Sequence, residues 1–225
     1  MQKKSIMVID PSIETPEISS FNHIGSLTSI QCTYHLPALI KNNSMEFEFP
    51  NTQGIIIMGS ASSVHDNLIW QADIQKLLLK SIENNIPILG ICYGHQLIAH
   101  MFGGNVDNLW ENKKKKGTRI VTLLKNELWT NSKTGQLIYS HRESVTSCPN
   151  DFEISARSEM VSIEGLIHKN KPIWTFQPHI EATFPFAERN LISTSDFEIS
   201  FQFGTTILKK FIQLRSQGMN ITPNQ

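Results

Sequence analysis

A glycine-bounded turn constrains this chain more than any other feature of its sequence. Within Ile86–Gly104, an apolar run after Pro87 leads into Gly90-Ile-Cys92-Tyr-Gly94, and a helix-like segment then continues to Gly103-Gly104. This order predicts a strand, a sharp turn and a helix. Glycines two positions before and two after the central residue let the strand and the helix approach closely, and the central side chain is held above the sheet.

The residue at the centre of this turn is a candidate nucleophile. A thiol at the first turn of a helix experiences the positive end of the helix dipole, which stabilises the thiolate. Cys92 is therefore placed for nucleophilic attack. The alternative is a structural cysteine, since cysteine is often buried and glycines flank many turns without chemistry.

The first half of the chain alternates between strand-like and helix-like segments. Apolar spacing after Asp66, a candidate N-cap, predicts a helix that reaches Asn84-Asn85. The predicted strands around it are Ser5–Ile9, Ile30–His35, Gly54–Met58 and Pro87–Ile91. Parallel strands joined by such a helix form a right-handed βαβ unit, with the ligand site beyond their carboxyl ends. Gly59 and Cys92 are thus expected at the same sheet edge.

The second half has a different pattern. No helix is predicted over residues 11–27, and a closing helix is predicted over Thr205–Arg215. Shorter strands are predicted over Ile120–Leu124, Leu137–Tyr139, Phe152–Ala156, Ser162–His168 and Ile173–Gln177. We therefore expect one α/β domain over residues 1–225, with a central, mostly parallel sheet flanked by helices and a smaller, partly antiparallel extension.

Composition narrows the class of protein. The 225 residues include 20 basic and 20 acidic side chains, so charge gives no reason to expect nucleic acid or an anionic membrane as a partner. No apolar run is long enough to span a membrane, and the first ten residues lack the apolar region of a signal peptide. Three cysteines without metal-type spacing fit a reducing compartment. A cytoplasmic protein is expected.

A second group of chemically active residues follows the strand that ends near Gln177. Pro178 ends the strand ladder, and an extended chain beyond it would point His179 and Glu181 to the same side. A carboxylate could then hold one ring nitrogen while the other takes a proton from a thiol. A metal site formed by Cys92, His95, His179 and Glu181 is the less favoured alternative, because only the first two have short ligand spacing.

Four motifs in order make the chain similar to a known family. They are Gly59-Ser60-Ala61-Ser62-Ser63-Val64, Gly90-Ile-Cys92-Tyr-Gly94-His95-Gln96, His141-Arg-Glu143-Ser-Val145 and His179-Ile-Glu181. The chain resembles class I, triad-type glutamine amidotransferases, with a flavodoxin-like fold, over roughly residues 54–212. Its cysteine motif looks most like the GMP synthetase glutaminase branch.

The resemblance implies a role for each matched position. Cys92 would be the nucleophile, His179 the base and Glu181 the residue that orients the base. The backbone N–H of Tyr93, with that of Gly59 or Ser60, would form the oxyanion hole. The substrate-binding residues implied are Gln96, His141, Glu143 and Val145. No metal and no cofactor is implied.

Three positions depart from the family pattern. Ser60 stands where the first turn usually has a second glycine, so aiming its N–H costs more. Ile180 stands where proline usually separates the histidine from the glutamate, which predicts a less rigid loop. The segment 182–203 is longer than expected and could form a flap or a partner surface.

The sequence has one charge cluster, Lys113–Lys116. It is interpreted as a solvated loop, with a docking surface for an acidic partner as the alternative.

The predicted reaction is hydrolysis of the side-chain amide of glutamine through a γ-glutamyl thioester. The 225 residues contain no nucleotide-activating loop motif, so ammonia would pass to a separate synthetase. A stand-alone hydrolase of γ-glutamyl peptides or conjugates is the alternative within the enzyme class. A catalytically silent binding module on the same fold is the alternative outside it.

Overall fold

The computed structural model of the chain describes residues 4–40, 44–126 and 128–216. The strands are β1 Ser5–Ile9, β2 Gln31–His35, β3 Thr52–Ile57, β4 Ile88–Ile91, β5 Val106–Asn108, β6 Lys115–Leu123, β7 Lys133–His141, β8 Glu143–Val145, β9 Phe152–Arg157, β10 Gly165–His168 and β11 Ile173–Phe176. The α-helices are α1 Ile18–Ser26, α2 Ser44–Glu48, α3 Ile69–Glu83, α4 Tyr93–Met101, α5 Phe184–Arg189 and α6 Phe197–Ser216. Short 3-10 turns cover Phe49–Asn51 and Trp110–Asn112.

The strands form one large mixed sheet and one small one. The large sheet has the order β2-β1-β3-β4-β11-β10-β9-β6-β7, and β5 pairs with β8 separately. Strands β2, β1, β3, β4 and β11 pair in parallel, whereas β10, β9, β6 and β7 pair antiparallel. The parallel half has the flavodoxin-type order. The predicted α/β class, with a parallel centre and an antiparallel extension, is confirmed.

The register aligns the carboxyl ends of the central strands. Ile57 of β3 lies opposite Gly90 of β4, and Phe176 of β11 lies opposite Ile91. The segments that follow these three strands therefore emerge at one edge of the sheet. This edge carries the expected turn at Gly59, the Cys92 turn and the segment around His179.

Two apolar layers cover the two faces of the sheet. Alternate residues of each strand point to opposite faces, so Ile6 and Val8 of β1 join one cluster while Met7 and Ile9 join the other. Helix α6 covers the first face, where the rings of Phe211 and Trp174 lie 5.9 Å apart. Helices α3 and α4 cover the second face. The near-continuous apolar character of the parallel strands follows from this double burial.

Several predicted element boundaries were wrong. Helix α1 lies within the segment where no helix was predicted, and α6 begins at Phe197, upstream of the predicted closing helix. Helix α3 is capped at Leu68, because the Gln71 side chain accepts from the Leu68 N–H at 2.7 Å. Asp66 instead accepts from the N–H of Ser63 in the preceding turn.

The basic cluster was also partly misassigned. Lys115 and Lys116 belong to the start of β6, where they pair with β7, and not to a loop.

None of the helices in the described part of the chain is both long enough and apolar enough to cross a membrane.

Candidate active site

Cys92 lies at the tight junction between β4 and α4. A β-carbon added to Gly90 would lie 2.6 Å from the carbonyl oxygen of Gly94, and one added to Gly94 would lie 2.6 Å from that of Ile57. Real side chains essentially never approach backbone so closely, so both positions require glycine. This is the close approach of strand and helix that the glycine spacing predicts.

The Cys92 backbone adopts a conformation that is rare for a residue with a side chain. Its φ is 50° and its ψ is −99°. The N–H of Cys92 donates to the carbonyl of Phe176 at 2.8 Å, and its carbonyl accepts from the N–H of Gln96 at 3.0 Å. These bonds hold the strained residue in place, as is common at functional sites. The side chain is only 3% exposed and borders a cavity.

His179 and Glu181 form a buried pair after β11. The Nδ1 atom of His179 lies 2.9 Å from Oε1 of Glu181, and both side chains are nearly inaccessible. The chain here is not extended as expected. A turn, in which the N–H of Ala182 donates to the His179 carbonyl at 3.3 Å, brings the two side chains together. The N–H of His179 also donates to the Ile138 carbonyl at 2.8 Å, which ties the turn to β7.

The charge state of His179 depends on two neighbours. Burial by itself lowers the pKa of this imidazole, but the Cys92 sulfur and the Glu181 carboxylate outweigh burial and raise its pKa to about 10. Since Nδ1 faces Glu181, the other ring nitrogen is left for the thiol. The arrangement favours the protonated, imidazolium form of His179.

Gly59 borders both the cysteine and the histidine. A β-carbon on residue 59 would lie 2.6 Å from Cε1 of His179 and 3.5 Å from Cβ of Cys92. The absence of a side chain therefore lets the histidine ring occupy its place beside the thiol. On another side, the ring of Phe186 packs against the His179 ring with centroids 4.5 Å apart.

Two adjoining cavities open at this sheet edge. The smaller cavity, of about 130 Å³, is lined by ten residues. Four of these also border the larger cavity, and the other six are Ser62, Cys92, Gln96, His141, Arg142 and Glu143. The larger, of about 270 Å³, is lined by His179, Glu181, the 12–17 loop and residues of the 182–203 segment. The residues that border both are Ser60, Ala61, Lys114 and Ser140.

Of the expected substrate-binding residues, three surround the smaller cavity and one does not. Gln96, His141 and Glu143 line it beside Cys92. Val145 lies in the core, 2% exposed, and pairs with Val106 across the small sheet.

Gln177 lies beside Cys92, although no sequence motif indicated it. It is fully buried directly after β11, and its Nε2 donates to the Cys92 sulfur at 3.7 Å. Its Oε1 accepts from Gln96 Nε2 at 3.2 Å, and Gln96 Nε2 also reaches the Glu143 carbonyl at 2.7 Å. The signal that could have revealed it is its position at the carboxyl end of a parallel strand, two residues before His179.

A buried ion pair supports the segment around His141 and was also missed. Nη1 of Arg119 lies 2.8 Å from Oε1 of Glu164, and Nη2 donates to Nε2 of His141. The Arg119 guanidinium also stacks on the Tyr139 ring at 3.6 Å. The backbone of Glu164 in turn accepts from the N–H of Gln177 at 2.8 Å, which links the pair to the Cys92 neighbourhood.

The contact with Arg119 fixes the tautomer of His141. Burial, assisted by the Arg119 charge, lowers the pKa of His141 to about 3, so the ring is neutral near pH 7. A guanidinium can only donate, so Nε2 accepts and the proton resides on Nδ1. Nδ1 then donates to the Glu143 carbonyl at 2.8 Å. The ring thereby holds the backbone of the Glu143 segment.

Ser60 and Ile180, the two departures from the family pattern that lie nearest His179 and Glu181, are both held in place by contacts. Ser60 Oγ donates to the Pro11 carbonyl at 2.7 Å and accepts from the N–H of Ser62 at 3.2 Å, which fixes the turn that follows β3. Ile180 is 2% exposed and belongs to the core. Its carbonyl lies against Gly204 of α6, where an added β-carbon would approach within 2.5 Å.

Lys114 and the 182–203 segment meet at the shared wall of the cavities. Nζ of Lys114 donates to Oδ1 of Asn190 at 3.4 Å, and Oγ of Ser140 donates to the same oxygen at 3.1 Å. Arg189 of α5 forms an ion pair with Glu17 beside α1. Lys114 thus differs from Lys113, which pairs with Glu111 on the surface.

His95 lies apart from this constellation. It is fully buried, and its Nδ1 lies 2.7 Å from Oγ1 of Thr175 within the core. Across the described residues, no group of three or more histidine, cysteine, aspartate or glutamate side chains is arranged to hold a metal ion.

Comparison with known proteins places these features in a family. The model of the family described as "Glutamine amidotransferase class-I" matches residues 19–195. The chain is 34% identical over 154 residues to "GMP synthase [glutamine-hydrolyzing]" of Mesoplasma florum, a match covering 68% of this chain and 29% of that protein. It is 29% identical over 164 residues to a glutamine-hydrolysing GMP synthase subunit of Methanopyrus kandleri, covering 72% of this chain and 75% of that one. The matches thus span 29% of the first relative and three quarters of the second.

Solved structures support the same conclusion about the fold. A putative GMP synthase subunit from Thermoplasma acidophilum superposes with a TM-score of 0.74 at 21% identity, covering 96% of each chain. A glutamine amidotransferase from Thermotoga maritima gives the same TM-score at 14% identity, covering 97% of this chain and 100% of the other. The resemblance seen in the four sequence motifs is confirmed: the chain belongs to the class-I glutamine amidotransferase family.

Proposed function

We propose that this chain hydrolyses the side-chain amide of glutamine with a Cys92, His179 and Glu181 triad. The observation that carries the proposal is the position of His179, whose Nδ1 lies 2.9 Å from Glu181 while its ring packs against Gly59 and beside Cys92. In this arrangement a base lies next to the nucleophile and a carboxylate orients the base, as nucleophilic acyl transfer requires. The strained backbone of Cys92 supports the same assignment.

In the proposed reaction the glutamine carboxamide lies over Cys92. The thiolate attacks the amide carbon, and His179 gives its proton to the departing ammonia. A γ-glutamyl thioester remains on Cys92. Water then donates a proton to His179 as it attacks the thioester carbon, and glutamate leaves with the thiolate restored.

The oxyanion that forms in each step needs backbone donors. Tyr93 is the first residue of α4, where an N–H group has no acceptor within the helix. We assign it as one donor and the N–H of Gly59 or Ser60 as the other. In comparable sites, loss of one donor costs about 2.7 to 4 kcal/mol of transition-state stabilisation. The Ser60 bond to the Pro11 carbonyl would hold the second donor in position.

The smaller cavity is proposed to hold the glutamine. Gln96, His141 and Glu143 line it, and Glu143 supplies a carboxylate that suits the substrate's α-ammonium group. Val145 would not contact the substrate; it is a core residue that supports strand β8, which begins at Glu143. Gln177 would stabilise the thiolate through its N–H contact with the sulfur.

The ammonia is proposed to pass to a separate synthetase. The relative from Methanopyrus kandleri is named as one subunit of GMP synthase, and it matches this chain over most of both lengths. An isolated amidotransferase subunit that hydrolysed glutamine quickly would waste it. We expect slow glutamine hydrolysis by the chain alone and at least about a tenfold increase with its partner, a change of ~1.4 kcal/mol in the barrier.

The substitution Cys92→Ser tests this proposal. A hydroxyl is a far weaker nucleophile than a thiolate at neutral pH, so glutamate release should fall to background while circular dichroism and urea unfolding remain close to wild type. Cys148→Ser is the matched control and should retain full activity. Near-native glutaminase activity in Cys92→Ser would refute the proposal. Fast hydrolysis of γ-glutamyl peptides by the wild type, with glutamine a poor substrate, would favour the stand-alone hydrolase.

A further inference from the structure

The two cavities divide the catalytic residues between them. Cys92 lines the smaller cavity, whereas His179 and Glu181 line the larger one. The wall that borders both includes Ser60, from the turn proposed to hold the oxyanion, and Lys114. An acyl group on the Cys92 sulfur would therefore have its carbonyl at the junction, with its glutamyl chain in the smaller cavity.

The proposed reaction indicates which molecules enter the larger cavity, because His179 lines it. The base must protonate the departing amine and later take a proton from the group that attacks the thioester. Because His179 lines the larger cavity, the leaving group must depart into that cavity and the acyl acceptor must enter from it. This cavity is the acceptor side of the site.

The volume of the larger cavity exceeds the volume that a water or ammonia molecule requires. A single water needs roughly 10 to 15 Å³ of such space, and the larger cavity provides about 270 Å³. Its wall is mixed: Ser12 and Thr15 contribute hydroxyl groups, while Ile13 and Phe186 contribute apolar surface. A short carbon chain attached to an amino group fits these walls.

The charges around this cavity favour an uncharged substituent. Arg189 is paired with Glu17, and Glu181 is paired with His179, so two of the carboxylates on the wall already have cationic partners. Glu14 and Lys114 add one further charge of each sign. The lining therefore offers no excess charge that would select an anionic or a cationic side group.

We infer that the larger cavity is an acyl-acceptor site for small primary amines, so that the chain transfers the γ-glutamyl group to an amine as well as to water. The inference rests on the proposed function, because it needs the thioester on Cys92. In the transfer step the amine nitrogen attacks the thioester carbon and gives a proton to His179. A γ-glutamyl amide forms as the carbon–sulfur bond breaks, and the Cys92 thiolate is restored.

Propylamine is the probe for this site. Wild-type protein is incubated with glutamine and increasing propylamine, and glutamate and γ-glutamylpropylamide are quantified by mass spectrometry. A binding site predicts that the rate constant for the reaction of preformed γ-glutamyl-enzyme with propylamine, measured in a single turnover so that thioester formation does not limit it, rises hyperbolically and saturates. A rate that stays linear in amine, as for simple collision with the thioester, would overturn the inference.

Variants at the rim of the cavity locate the site. Thr15 is exposed and lines the larger cavity only, so Thr15→Trp should lower the ratio of propylamide to glutamate at least about fivefold, and Thr15→Leu should lower it less. Ile18→Trp is the matched control, since it adds the same side chain at an exposed position outside both cavities. An unchanged ratio in both Thr15 variants would contradict the assignment.

The same experiment separates the two proposals. Glutamate without saturable propylamide formation would leave the glutaminase proposal standing and overturn the acceptor site alone. If wild type forms neither product while its fold is intact, the proposed function itself fails. Saturable transfer that is lost in Cys92→Ser supports both.

Discussion

A β-carbon on residue 59 would lie 2.6 Å from Cε1 of His179. The His179 ring therefore occupies space that only a glycine leaves open. Gly59→Ala should displace the ring from Cys92 and lower kcat for glutamine about 100-fold or more, because the base would lose its position. Steady-state kinetics measures the loss.

The matched control for this substitution is Gly25→Ala. A β-carbon at Gly25, in helix α1, has nothing within 4 Å, so activity should be unchanged. Stability should rise by about 0.5 to 1 kcal/mol, since glycine loses more backbone entropy than alanine when a helix forms. If Gly59→Ala retained wild-type kcat, the close packing of His179 would have no catalytic importance.

His179 and Glu181 should differ in severity when they are replaced. His179→Ala removes the proton carrier and should approach the loss seen in Cys92→Ser. Glu181→Gln keeps a group that can still hold the ring at Nδ1, so its effect on kcat should be milder. A Glu181→Gln variant that was more damaged than His179→Ala would indicate a carboxylate base.

The Arg119–Glu164 pair is expected to position the segment around His141 and Glu143 more than to stabilise the fold. Burial lowers the pKa of Arg119 and raises that of Glu164, against their mutual attraction, so desolvation outweighs the attraction between them. Arg119→Met alone should destabilise by about 3 to 5 kcal/mol, because Glu164 would remain buried without its partner.

The double variant Arg119→Met, Glu164→Leu tests the positioning role. It should recover most of the stability, since neither charge is then buried alone. His141 would still lack the donor that fixes its tautomer, so KM for glutamine should rise at least about fivefold while kcat changes little. Recovery of both stability and KM would leave the pair with a structural role only.

Buried neutral histidine makes the fold sensitive to acid. Burial lowers the pKa of His95 to about 3, whereas in the unfolded chain it is near 6.5. Between these values the unfolded state binds a proton that the native state does not. The stabilising effect is therefore complete above pH 6.5 and is lost as the pH falls toward 3.

His95→Gln should reduce this acid sensitivity. From pH 7 to pH 5 the wild type should lose about 2 kcal/mol more of its free energy of unfolding than the variant does. Urea unfolding of both proteins at the two pH values measures the difference. Equal losses would mean that His95 becomes protonated in the folded state.

The sequence was most informative where the cause of structure is local. Strand β1 has the predicted bounds, Ser5–Ile9, because a short apolar run ends at Asp10-Pro11. The turn around Cys92 was predicted because two glycines at fixed spacing allow strand and helix to touch. The positions of Gly59 and Cys92 at one sheet edge followed from the direction of parallel strands.

The features that were missed depend on tertiary contacts. Helix α1 has only nine residues, and its three apolar residues at helical spacing stand among serines, asparagine and nearby prolines that favour a loop. Arg119 and Glu164 are 45 residues apart, and no local pattern indicates that two charged side chains will be buried together. The turn at Ile180 replaced the expected extended geometry because the His179 N–H bonds to β7.

Labelling by a glutamine-mimicking diazoketone, followed by peptide mass spectrometry, tests the central claim most directly. Cys32 and Cys148 serve as internal controls, because all three cysteines are free thiols and burial raises the pKa of these two. The account predicts one label, on Cys92, that glutamine protects against and that His179→Ala slows. Labelling of Cys32 or Cys148 at an equal rate, or no label on Cys92 in a folded protein, would contradict it.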